Sequence, residues 1–90
     1  MLKVRYSSKF KKDFKAIIKR GYNISLFYEV LILLREDKTL PEKYSDHALK
    51  GGYGGHRECH ITPDWLLIYK KENDTLTLTL TRTGSHSDLF

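Results

Sequence analysis

Three histidines, an aspartate and an arginine are the side chains of this 90-residue chain whose types and spacing suit chemistry. His60 and Asp64 lie on either side of Pro63, which marks a tight turn. His47 falls in a loop upstream, Arg82 ends an alternating segment, and His86 sits in a polar stretch ahead of Leu89 and Phe90. An imidazole, with an unperturbed pKa of about 6.5, gives or accepts a proton near neutrality. A guanidinium stabilises negative charge that develops in a transition state. Metal-free cleavage of RNA needs this set. RNA carries its own nucleophile, the 2′-hydroxyl. A protein that cuts it must remove that proton, steady the charge on phosphorus and protonate the departing 5′-oxygen. A positioned acid or base contributes roughly 10²–10⁴-fold.

Each of these residues also has a plainer use. Asp64 after Pro63 suits a turn, Arg82 suits a structural ion pair, and Trp65 suits a core. Strict alternation places Arg82 with the leucines of its strand, and only the strand's end lets it reach round the sheet edge. Phe90 can pack at a core rim or offer a ring on which a base stacks. Three histidines and an aspartate can also hold zinc. Their spacing matches no metal motif and there is no HExxH, so no metal and no cofactor is expected.

The elements that must position these groups follow from periodicity. Leu2, Val4 and Tyr6 alternate with Lys3 and Arg5, a short strand. Ser7 or Ser8 can cap a helix whose apolar stripe is Phe10, Phe14, Ile17 and Ile18. Gly21 suits the left-handed position that ends it. Asn23 or Ser25 can cap a second helix with stripe Phe27, Val30, Leu31 and Leu34, which Pro41 keeps from extending far. The short connection makes the two helices a hairpin. Leu40–Gly54 reads as a loop. Three strands follow: His56–Ile61, with His56, Glu58 and His60 on one face; Trp65–Tyr69, apolar throughout and covered on both sides; and Thr75–Thr83, with Leu76, Leu78 and Leu80 toward the helices and threonines on the open face. The expected fold is α+β, in the order β-α-α-β-β-β, a mostly antiparallel sheet with the helix hairpin on one face, forming one domain over residues 1–90.

Composition narrows the class. An apolar fraction of 40% supports a packed core. The single cysteine, Cys59, rules out an internal disulfide framework and fits a reducing cytoplasm. No apolar stretch approaches the ~20 residues that span a bilayer, so a membrane is not an expected partner. The net charge of +5 favours an anionic partner. Lys9, Lys11, Lys12, Lys15, Lys19 and Arg20 crowd the first helix, as a solvated face or one that tracks phosphates.

Three stretches carry a resemblance: Leu40–Gly51, LPEKYSDHALKG; Gly55–Lys70, GHRECHITPDWLLIYK; and Leu80–Phe90, LTRTGSHSDLF. Loop, turn and tail fit together, and the chain resembles the YafQ branch of the RelE/ParE toxin superfamily, the toxin halves of bacterial type II toxin–antitoxin pairs. The resemblance implies a RelE-like fold and an endoribonuclease that cuts mRNA in the ribosomal A site. It implies catalytic roles for His47, His60, Asp64 and His86, and puts Arg82, Trp65 and Phe90 against substrate. His86 is the candidate acid, His60 assisted by Asp64 the candidate base, and His47 holds substrate or shares the proton work. The implied partners are mRNA, the ribosome and a smaller DinJ-like antitoxin, part ribbon-helix-helix and part wrapping segment. Toxin and antitoxin would form a heterotetramer that binds operator DNA. Two other readings stand beside this one. A ParE-like gyrase inhibitor would not usually carry this histidine set, and a plain RNA- or protein-binding module would carry it incidentally.

Overall fold

Ser7 starts the first helix. Its backbone is extended and its hydroxyl accepts the Phe10 N–H at 2.9 Å, so one free amide of the first turn is satisfied. The helix α1 (Ser8–Lys19) stops at Gly21, whose φ of 77° lies in the left-handed region. Asn23 then caps α2 (Ile24–Arg35) by accepting the Ser25 N–H at 3.2 Å. The computed structural model describes residues 1–90. In α2 the expected stripe, Phe27, Val30, Leu31 and Leu34, is buried. In α1, Phe10 and Ile17 are buried and Phe14 is half-buried, but Ile18 is 51% exposed. Ile18 lies roughly 80° round the helix from Phe10, outside the arc that meets the sheet.

The sheet has five strands in the order β1-β5-β4-β3-β2. They are β1 (Lys3–Tyr6), β2 (His47–Ala48), β3 (Arg57–Thr62), β4 (Trp65–Glu72) and β5 (Thr77–Gly84). β1 runs parallel to β5, and every other pair is antiparallel. Two elements fall where a loop and an irregular tail were expected: the two-residue β2, and α3 (His86–Leu89) after β5. Both are too short to show a hydrophobic period.

The helices cover one face. Phe10, Ile17, Phe27, Val30, Leu31 and Leu34 meet Cys59, Ile61, Trp65, Leu67, Tyr69, Leu78 and Leu80. A smaller cluster, Leu66, Ile68 and Leu89 with Leu49 and Tyr53, lies on the other face. The run from Trp65 to Tyr69 therefore alternates between two cores, which is why it carries no polar residue. The alternation expected through Thr75–Thr83 breaks at both ends. Leu76 sits in the turn before β5 with φ 50° and is 63% exposed. At the other end, a register shift opposite Ile68 and Tyr69 leaves Thr81 without a partner, a β-bulge. Beyond it, Thr83 points into the helix-side core and is 1% exposed.

Candidate active site

Residues paired across neighbouring strands project to the same face. One row of such pairs is His47, Glu58, Ile68 and Arg82 on β2, β3, β4 and β5. The next contains His60, Leu66 and Gly84. Leu66 and Ile68 belong to the core away from the helices, so both rows look away from the hairpin. Arg82 joins them only because of the bulge. Strict alternation from Leu78 and Leu80 would have turned it toward the helices, and the extra residue, Thr81, reverses it.

Glu58 organises the histidines. It is 6% exposed, and its Oε1 lies 3.4 Å from His47 Nε2 and 3.5 Å from His60 Nε2. A carboxylate removed from water needs polar partners, and these two rings are the ones it has. The ring centroids of His47 and His60 are 6.3 Å apart. His47 Nδ1 meets the Ser45 carbonyl oxygen at 2.7 Å, which holds a proton on that nitrogen and turns Nε2 to Glu58. The loop before β2 is fixed in turn through Asp46, which accepts the Tyr69 hydroxyl at 2.6 Å and the Arg57 Nε–H at 3.2 Å. Burial, then Asp46, pushes the Tyr69 phenol above its ordinary range, so it remains a donor. Burial likewise raises the Cys59 thiol and keeps it protonated within the helix-side core. It is no nucleophile.

The last residues dock. The Ser85 hydroxyl accepts the Asp88 N–H and the Asp88 carboxylate accepts the Ser85 N–H, a capping box around α3. Asp88 also takes two hydrogen bonds from Arg20 at 2.6 and 3.2 Å, tying α3 to the end of α1. Leu89 packs on Leu66 and Ile68. A Cβ at Gly84 would stand 3.0 Å from Asp88 Oδ2 and 3.1 Å from Asp88 Cβ, so a larger residue there would press on the capping box. The His86 ring lies 5.1 Å from Phe90, Phe90 6.1 Å from Tyr53, and Tyr53 5.9 Å from His56. Phe90 is 57% exposed, so a face of its ring is free. His86 follows Gly84, which stands in the His60 row two strands away. At ~4.8 Å per strand that is about 10 Å, with Leu66 buried between them.

The other expected residues fall as follows. Arg82 is half-buried, and Asp13 of α1 holds it through Nε at 2.7 Å and Nη2 at 3.1 Å. Asp13 raises its pKa further. Trp65 does not face substrate. It is 1% exposed, and its indole N–H donates to Thr83 Oγ1 at 2.8 Å inside the helix-side core. The expectation that it contacts RNA is corrected here: the turn before it ends where β4 enters the core. Asp64 stands exposed in the turn between Thr62 and Trp65, and the carboxylate nearest His60 is Glu58 instead. Glu58, Asp13 and Asp88 went unremarked as functional in the sequence. Only Glu58 left a signal there, two residues before His60 on the polar face of its strand.

The profile of the bacterial toxins of type II toxin–antitoxin systems called YafQ matches residues 2–90. The chain belongs to the YafQ toxin family. The mRNA interferase toxin YafQ of Escherichia coli K12 is 39% identical over 88 residues, covering 97% of this chain and 94% of that protein. A metal-bound toxin from Helicobacter pylori superposes with TM-score 0.94 at 47% identity, over the whole of both chains. YafQ in the E. coli DinJ–YafQ complex superposes with TM-score 0.90 at 37% identity, over 100% of this chain and 99% of that one. The YafQ-type, RelE-like fold implied by the sequence is therefore the one observed, and the two histidine rows are built on it.

Proposed function

We propose that this YafQ-family chain is an endoribonuclease that cuts mRNA in the ribosomal A site and so stops translation. The observation that carries the reading is Glu58 between His47 and His60, on the face to which Leu89 docks the segment bearing His86. His60 takes the 2′-hydroxyl proton, and the Glu58 charge stabilises the imidazolium that results. The 2′-oxygen forms a bond to phosphorus as the bond from phosphorus to the 5′-oxygen breaks. His86 gives its proton to that 5′-oxygen. The products are a 2′,3′-cyclic phosphate and a 5′-hydroxyl, and proton exchange with water resets the two rings. His47 holds substrate. Arg82, gripped by Asp13 at Nε and Nη2, offers Nη1 to the phosphate. Phe90 offers its exposed ring to a base.

The partners that go with this reading are cytoplasmic: mRNA, the ribosome, and a DinJ-like ribbon-helix-helix antitoxin in a heterotetramer that binds operator DNA. Primer extension on mRNA from cells expressing His86→Ala tests it. The cuts made by the wild type should vanish while the variant still co-purifies with its antitoxin. Persistent cuts would overturn the reading. Cleavage should also survive a strong chelator; its loss would assign a metal to the His47, Glu58 and His60 cluster.

A further inference from the structure

Beyond the histidine rows, the same open face carries a polar hollow of about 280 Å³, lined by Arg5, Tyr6, Ser7, His56, Lys70, Glu72, Thr79 and Thr81. The register explains its composition. Arg5, Thr79 and Lys70 are paired residues on β1, β5 and β4, so two cations flank one hydroxyl on a single row. The Oγ1 atoms of Thr79 and Thr81 are shielded from solvent and have no hydrogen-bond partner. Polar atoms in that position are rare in folded chains and call for a ligand or an ordered water. The volume is several times that of a water molecule, ~30 Å³.

We infer that this hollow binds a phosphate of the RNA backbone, one further along the strand than the linkage being cut. The inference rests on the nuclease reading above and extends it to a second subsite. Arg5 and Lys70 supply the charge that meets a phosphodiester oxygen, and the two threonine hydroxyls, closed off from solvent in the free protein, become its donors once the wall of the hollow opens. Lys70 lies four residues along β4 from Leu66 in the His60 row. At ~3.3 Å per residue that is about 13 Å, too far for the scissile phosphate and within the reach of one further along the backbone. His56 lines the hollow and also touches Tyr53, which in turn meets Phe90. An aromatic path therefore joins the two sites, and bases between the two phosphates can stack along it. Glu72 opposes the binding and sets its strength.

The test is an NMR titration of ¹⁵N-labelled protein with a 2′-O-methyl hexaribonucleotide, which lacks the nucleophile and cannot be cut. The amides of Thr79 and Thr81 should shift together with those of Ser85–Phe90. Arg5→Gln or Lys70→Gln should abolish the first set and keep the second, which also shows that the variant is folded. Each should flatten the dependence of log K on log salt by about 0.7, and Glu72→Gln should tighten binding. Shifts in the tail with a silent hollow would overturn the subsite and leave the nuclease reading standing. Shifts in the hollow with a silent tail would keep a phosphate site and remove the nuclease reading. No shifts at all would overturn the inference.

Discussion

Glu58 shows how much a single side chain can decide. Its carboxylate is shielded from water and faces two imidazoles. Glu58→Gln keeps the shape and removes the charge that holds the imidazolium. We expect single-turnover cleavage to fall by about 10²-fold with little change in melting temperature, since a neutral amide is easier to bury. An unchanged rate would take Glu58 out of the machinery. Trp65 gives the opposite pattern. Trp65→Phe loses the hydrogen bond to Thr83 and leaves a gap beneath the hairpin. Urea unfolding should show a loss of roughly 1–3 kcal/mol, while affinity for RNA stays as it was. Weaker RNA binding at full stability would return Trp65 to the substrate side. The sequence placed Glu58 and His60 on one strand face, which was correct, because period two is local. It could not show that Glu58 is buried, because the rings around it come from β2 and β3 together.

Among the α-helices, α3 is the shortest and matters most to the site, because it carries His86. Its anchor is Asp88. The Arg20 guanidinium, and then the Ser85 backbone N–H, hold this carboxyl well below its ordinary value near 3.8. A group whose folded value lies below its unfolded one contributes stability above the unfolded value. That contribution is lost as pH falls through the folded value. The docked state of α3 should therefore persist at about pH 4 and loosen only in stronger acid, well below the usual carboxylate titration. Amide exchange at Leu89, followed as pH is lowered, checks this. Asp88→Asn removes the charge and one of the two acceptor oxygens that Arg20 and the Ser85 N–H share. We expect it to reduce cleavage at neutral pH by about 10²-fold through misplacement of His86, and to expose Leu89 to exchange. Protection of Leu89 equal to the wild type would show that apolar packing alone docks the helix.

For the molecule as a whole, the exposed lysines Lys9, Lys11, Lys12, Lys15 and Lys19 crowd α1, remote from the histidine rows, in a chain of net charge +5. If an acidic antitoxin segment is the partner, this charge steers encounter. The association rate should fall about tenfold or more as salt rises from low to several hundred millimolar, with a smaller change in dissociation. A rate indifferent to salt would assign the lysines to solvation alone. The sequence by itself determined the two helices with two cap candidates each, the three long strands and, apart from Ile18 and the two ends of β5, which residues face the core. Those depend on periods of 3.6 and 2 that a few neighbouring residues specify. It also named the histidines. The tertiary structure alone decided that Thr81 bulges and turns Arg82 to the open face, that Asp13 of α1 holds Arg82 while Asp88 of the tail holds Arg20 at the end of α1, and that Glu58 sits between two rings. Each of those depends on residues that are distant in sequence and brought together only when the strands pair and the hairpin closes over them.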